Sequence, residues 1–255
     1  MGILNMTPDS FSGDGLADNP EAAVAQALQM ESEGADIIDV GGMSTRPSHT
    51  EVSTEEELAR VMAVLPQLVA RLSVPVSIDT YRYEVADAAL RAGAGAINDV
   101  WGLQREPGLA ELAAGSGAML FLMHNQEGTE YRDLVPDVVE SLRDSVARAE
   151  AAGVTRERIV VDPGIGFGKT ADQNLELLAR LPELRVLGLP ILLGTSRKST
   201  IGRVLGTEVD DRLEGTAATV ALGIGAGADM VRVHDVKPMT RVATMSDAIV
   251  RRVPA

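Results

Sequence analysis

The densest chemistry in this sequence lies in Ile159-Val-Val-Asp162-Pro-Gly-Ile-Gly-Phe-Gly168-Lys169, an apolar run that ends in an acid and turns through glycines. A buried parallel strand reads this way when it delivers one carboxylate to a cleft and then lets the backbone wrap close to a ligand. The same grammar recurs along the chain. Apolar runs end in Asn5, Asp39, Asp79, Asn98 with Asp99, His124, Asp162, the group Thr195-Ser-Arg-Lys198, and Arg232 with His234. An Asp after a strand is often only a helix cap or turn former. Eight strands ending this way are better explained by one shared pocket.

Asp79, Asn98 and Asp162 suit a flat heterocycle with adjacent N–H donors and a carbonyl, since a carboxylate accepts two parallel hydrogen bonds and an amide both donates and accepts. Arg197, Lys198, Arg232 and His234 follow the last two apolar runs, the sector in which barrels commonly bind phosphate. A satisfied salt bridge at the rim is the other reading of Arg232 and His234. The glycine stretch is not a P-loop, because Pro163 stands where the first glycine belongs, nor a dinucleotide fingerprint, because Lys169 stands where the third does. His49, His124 and His234 are too scattered to suggest zinc. Two loops, Thr7–Gly15 and Met43–His49, are rich in turn formers and carry the isolated side chains Phe11 and Arg46. They read either as active-site loops or as disordered connectors.

Eight short apolar runs must position these groups: Gly2–Asn5, Ile37–Val40, Val76–Asp79, Ala96–Asp99, Met119–His124, Ile159–Asp162, Ile191–Gly194 and Met230–His234. Helical segments lie between them. Asn19-Pro20 offers a cap with proline at the first helical position, and Ser53-Thr-Glu-Glu56 reads as a capping box whose helix Pro66 should kink or end. Asp133–Ala152, Thr170–Leu181, Asp211–Ala226 and Pro238–Arg251 read as later helices. Gly34, Gly93, Gly153, Gly188 and Gly227 each sit just ahead of a strand, where a left-handed cap is needed. Strand, helix, glycine, strand repeated about eight times predicts an α/β fold, a single-domain (β/α)8 TIM barrel over 1–255, with a doubly wound open sheet as the alternative.

The totals agree. The chain of 255 residues is typical of one such barrel, and 45% hydrophobic with 24% charged residues is ordinary for a globular protein. A net charge of −14 argues against nucleic-acid or membrane partners. Zero cysteines exclude disulfides and thiolate metal sites and suit a cytoplasmic enzyme. No apolar run approaches the ~18 residues of a membrane span, and Met1–Asn5 has no basic region, so no signal peptide is expected.

Taken together, Gly2-Ile-Leu-Asn-Met-Thr-Pro-Asp-Ser-Phe-Ser12, Asp39-Val-Gly-Gly, Ser44-Thr-Arg-Pro47, Ser77-Ile-Asp-Thr80, Ile97-Asn-Asp99, Leu122-Met-His124, Asp162–Lys169, Ser196-Arg-Lys-Ser199 and Arg232-Val-His-Asp235 resemble the dihydropteroate synthase family across almost the whole chain. The resemblance implies a (β/α)8 barrel, usually a homodimer, in folate biosynthesis and targeted by sulfonamides. The family joins 7,8-dihydropterin-6-ylmethyl diphosphate to 4-aminobenzoate, releasing diphosphate and 7,8-dihydropteroate. Carried over by position, it implies that Asp79, Asn98, Asp162 and Lys198 hold the pterin with Met123 beside it and Arg232 shared with the diphosphate. Arg232 and His234 would hold the diphosphate, and Asn5 would ligate a bridging Mg²⁺. Phe11, Pro47 and Phe167 would wall the aminobenzoate, whose carboxylate would meet Ser199. Thr45 and Arg46 would close over both substrates. An S_N1-like reaction without a covalent enzyme intermediate is expected.

The sequence departs from the family's commonest wording at three places: Gly13-Asp14 in the first loop, and Met43 and Ser48 in the second. Met43 replaces the usual Glu ahead of Ser44-Thr-Arg-Pro47, which is expected to alter how that loop docks. Two rivals remain. A methyltetrahydrofolate–corrinoid methyltransferase shares the pterin-binding barrel, but Ser196–Ser199 and Thr7–Phe11 argue against it. A pterin-binding barrel without catalysis would bind the pterin diphosphate and form no product.

Overall fold

The computed structural model describes residues 1–7, 16, 19–43 and 52–252. The parallel strands are β1 (Gly2–Asn5), β2 (Ile38–Gly41), β3 (Val76–Asp79), β4 (Ala96–Asp99), β5 (Met119–Met123), β6 (Ile159–Asp162), β7 (Leu192–Leu193) and β8 (Met230–Val231). Between and after them run α1 (Pro20–Ser32), α2 (Thr54–Met62), α3 (Leu65–Arg71), α4 (Tyr83–Arg91), α5 (Gly108–Ser116), α6 (Leu134–Ala151), α7 (Ala171–Ala179), α8 (Ser199–Leu205), α9 (Leu213–Ala226) and α10 (Val236–Val250). β1 to β6 pair in sequence order and β7 pairs with β8. Single bridges, Val161 to Ile191 and Gly2 to Val233, join the two sheets on both sides and close the barrel. The open-sheet alternative is thereby set aside.

Helix boundaries follow their local chemistry. Asn19 accepts from the Ala22 amide at 3.0 Å and starts α1 with Pro20 in the first turn. Ser53 accepts from the Glu56 amide at 3.2 Å, and the helix it opens, α2, ends at Met62, with Pro66 in the first turn of a new helix, α3. The reciprocal capping box sits instead at Thr170 and Gln173, opening α7. That helix ends at Ala179, short of the expected Leu181, and a 3-10 turn over Leu181–Leu187 follows. Asp211 lies in another 3-10 turn, so α9 begins two residues later than predicted. α10 begins at Val236, ahead of the predicted Pro238. α4 and α5 had no strong cap signal in the sequence. The last two strands are shorter than predicted, each reduced to two paired residues.

Strand alternation decides what faces the interior. Met1, Ile37, Ala96, Phe121, Val160 and Leu192 pack together as an apolar plug inside the barrel. Their neighbours Leu4, Ile38, Ile78, Ile97, Leu120, Val161 and Leu193 face out into the larger core beneath the helices. Two residues beyond the plug, the same interior register holds Asp39, Asn98, Met123 and Asp162, and Asp79 takes the corresponding place on β3. The acids therefore stand on an apolar floor, at the carboxyl ends of the strands.

Candidate active site

Asp39, Asp79, Asn98 and Arg232 are directly interlocked. Arg232 Nε donates to Asp39 Oδ2 at 2.6 Å and Nη2 to Asp79 Oδ2 at 2.6 Å. Asn98 Nδ2 donates to the same Asp39 oxygen at 2.9 Å. Asp39 is fully buried, and Asp79 and Asn98 nearly so. Burial pushes the Asp79 carboxyl up to about 7, because desolvation outweighs the attraction of Arg232 and the charges of Asp39, Glu57 and Asp99 add to it. Arg232 is thus salt-bridged, as the alternative reading had it, but into the pocket rather than along the rim.

The second group is built by the turn after β6. Asp162 Oδ1 accepts from the Gly164 amide at 2.7 Å. Burial raises the Asp162 carboxyl above the usual range, opposed mainly by the charge of Lys198. Lys198 donates to the Ile165 carbonyl and stands 4.4 Å above the centre of the Phe167 ring. Burial lowers its ammonium to about 8 against the pull of Asp162. Gly194 sits between the two groups, where a Cβ would lie 3.7 Å from Asp162 Oδ2 and 4.0 Å from Arg232 Cβ.

The glycines of this turn serve the protein before any ligand. Gly164 has φ +72°, and a Cβ there would land on the His124 carbonyl oxygen. Lys169 folds back into the turn, its Nζ 2.9 Å from His124 Nδ1, 3.1 Å from the Gly164 oxygen and 3.0 Å from the Phe167 oxygen. Tyr131 Oη donates to the Gly168 oxygen at 2.8 Å and Asn174 Oδ1 accepts from the Gly166 amide at 2.8 Å. Burial and the Lys169 charge hold His124 down to about 3, so its ring is neutral. Lys169, Tyr131 and Asn174 escape a reading confined to strand ends, although Lys169 closes the stretch that drew attention first.

Not every predicted strand-end residue joins the pocket. Asp99 is a turn former: its carboxylate accepts from the Trp101 amide at 2.8 Å and the Leu103 amide at 2.6 Å. His124, next in register after the inward Met123, points outward to Lys169. Arg197 is drawn away into a two-pronged ion pair with Asp235 at 2.7 and 2.9 Å. His234 approaches Ser196 Oγ with Nδ1 at 3.0 Å. Asn5 ends β1 partly exposed, and Ser199 is exposed as the first residue of α8. Met43 is buried, 4% exposed. Phe11, Gly13, Asp14, Thr45, Arg46, Pro47 and Ser48 lie outside the described residues.

Comparison with known proteins follows this geometry. The family model described as pterin binding enzyme matches residues 1–234. A dihydropteroate synthase from Clostridium beijerinckii is 50% identical over 253 residues, covering 99% of this chain and 94% of that protein. The chain belongs to the dihydropteroate synthase family. The crystal structure of the dihydropteroate synthase from Clostridium difficile in the presence of pteroic acid superposes on this family member with a TM-score of 0.94 and 51% identity, over 98% of this chain and 96% of that one. The Xanthomonas albilineans dihydropteroate synthase with 4-aminobenzoic acid gives 0.93 and 44% identity, over 100% and 93%. These relatives are dihydropteroate synthases, and the pterin-binding barrel is the frame in which the site's chemistry is set.

Proposed function

We infer that this protein condenses 7,8-dihydropterin-6-ylmethyl diphosphate with 4-aminobenzoate to give 7,8-dihydropteroate and diphosphate. The observation that carries the reading is the convergence of Asp79, Asn98, Asp162, Lys198 and Arg232 at one barrel mouth, in a chain of this family. Asp79, Asn98 and Asp162 bind the pterin's N–H groups, Met123 packs beside the ring, and Lys198 donates to its acceptors. Gly194 keeps the space between Asp162 and Arg232 open for the ring.

Breaking the C–O bond to diphosphate leaves positive charge spread into the pterin and negative charge on the leaving group. The buried carboxylates, chiefly Asp162, stabilise the first; Arg232 and His234 stabilise the second. The aniline nitrogen then attacks a preformed cation and needs no strong base, which is an S_N1-like course without a covalent enzyme intermediate. Phe167, with Phe11 and Pro47, walls the aminobenzoate, Ser199 meets its carboxylate, and Thr45 and Arg46 close over the reactants. Sulfonamides compete as mimics of that substrate.

Among the described residues no cluster of three His, Asp or Glu could hold a metal. A single hard oxygen donor at the mouth, Asn5, fits Mg²⁺, which keeps waters and substrate phosphate oxygens rather than a protein cage. When bound, Mg²⁺ supplies charge neutralisation for the departing diphosphate. A homodimer is our reading of assembly, supported by the exposed Leu222, Met245 and Ile249 on α9 and α10. The cysteine-free composition supports a cytoplasmic location. Incubation with both substrates and Mg²⁺ should yield dihydropteroate; binding of the pterin diphosphate without product would leave only a binding barrel.

A further inference from the structure

Asp39 is the one member of the interlocked group to which the substrate contacts above assign no role, yet two of the others depend on it. Its Oδ2 accepts from Asn98 Nδ2 at 2.9 Å and from Arg232 Nε at 2.6 Å. An oxygen that already accepts from an arginine N–H also accepts from the amide, so it fixes which way the Asn98 amide faces. The amide NH₂ is turned to Asp39, and Oδ1 is left as the free branch. Asp79 shows the same division: Oδ2 is taken by Arg232, whereas Oδ1 is buried with no hydrogen-bond partner among the described residues. Asp162 is divided likewise, with Oδ1 given to the Gly164 amide. An unmet buried acceptor is costly, so Asp79 Oδ1 implies a donor that arrives from outside; Asp39 Oδ1 is likewise buried with no partner among the described residues.

We propose that Asp39 is a positioning residue which sets the polarity of the heterocycle pocket, turning Asn98 into an acceptor and holding Arg232 across Asp79. On this assignment the pocket offers oxygen acceptors from three strands to one edge of the ring. It selects a heterocycle whose 2-amino group and neighbouring ring N–H groups lie along that edge, and rejects an isomer with an acceptor there. Such rejection is steep, because the mismatch leaves buried oxygens facing each other. The inference rests on the pterin reading of the site and adds the residue that enforces it.

Two substitutions separate positioning from bulk stability. Asp39→Ala removes both hydrogen bonds and frees the Asn98 amide to flip. Pterin diphosphate binding, followed by calorimetry, should weaken about tenfold or more, while the KM for 4-aminobenzoate stays within about twofold. Asp39→Asn keeps one carbonyl in the accepting place and should restore most of that affinity. It also removes a negative charge near Asp79, whose other charged neighbours are Arg232 from the end of β8, Lys198 before α8, Glu57 from α2 and Asp99 from β4. Asp79 then ionises more readily, and the acid limb of kcat/KM for the pterin diphosphate moves to lower pH. Unchanged pterin affinity in Asp39→Ala, or equal losses for both substrates, would overturn the proposal. If Asp39→Ala does not fold, an unmoved acid limb in Asp39→Asn overturns it alone. A parent protein that binds pterin diphosphate but makes no product instead overturns the synthase reading and leaves the calorimetric comparison intact.

Discussion

The two sides of the pocket solve the same problem differently. On the side of β2, β3, β4 and β8, charges are paired directly: Asp39 and Asp79 share the one cation Arg232, and Asn98 is tied to Asp39. On the side of β6 and β7, the cations are held mostly by the backbone. Lys169 is caught by two carbonyls and a neutral imidazole, and Lys198 by the Ile165 carbonyl. Carbonyls orient an ammonium, while burial lowers Lys169 to about 7 and Lys198 to about 8 against the pull of Asp162. On the proposed reading the first side recognises the ring through oriented acceptors, and the second presents Lys198 and Asp162 to charge that develops during reaction.

On the proposed reading, Asp162 rather than Asp79 is the carboxylate with the larger catalytic share. Asp162→Asn should lower turnover at least about a hundredfold, the scale of one well-placed electrostatic contact. Near-normal turnover would erase the contrast. Gly164→Ala attacks the backbone cradle alone. Its methyl group meets the His124 carbonyl at a left-handed φ of +72°, and the loss in unfolding free energy should be on the order of 3 kcal/mol. A denaturation midpoint equal to the parent's would show that the turn is looser than drawn.

Titration sharpens the comparison, because each side supplies one limb. Asp79 must be ionised to accept and titrates at about 7; Lys198 must be protonated to donate and titrates at about 8. Hence kcat/KM for the pterin diphosphate falls as pH drops through the first value and falls again as pH rises through the second. A profile flat from about pH 6 to 9 would contradict both assignments. The smallest effect is expected outside either side. Met43→Glu, placing an acid where a buried thioether now packs, should change the aminobenzoate KM and a sulfonamide's Ki by a few fold, about 1 kcal/mol. Identical constants would remove Met43 from any account of loop docking.

Much of this was legible in the residues. Repeated apolar runs ending in polar side chains, with glycine ahead of each return, describe the barrel, and Asp79, Asn98, Asp162 and Arg232 do gather. Asp99 and His124 miss the pocket for one reason: a strand end is an alternating row, not a point. Period two sends Asn98 inward and Asp99 outward, and Met123 inward and His124 outward. Arg197 turned away because Asp235, distant in sequence, offers a better-matched partner. Asp39 was visible as a strand end, but its service to Asn98 and Arg232 depends on pairings 59 and 193 residues apart. No local pattern carries such information.

The wall of the barrel is uneven in a way that bears on substrate entry. Neighbours among the first six strands pair over three or four residues, whereas β7 and β8 pair with each other over only two, although three backbone hydrogen bonds fasten β8 to β1. That short ladder joins the staves from whose ends Lys198, Arg232 and His234 project. Thermal breathing should concentrate there, so the Arg232 amide, which crosses it to the Leu193 oxygen at 3.0 Å, would swap protons with solvent sooner than those in the middle of the long ladder. A barrel with one short ladder would keep its recognition wall stiff while the phosphate-facing staves give way to let diphosphate depart.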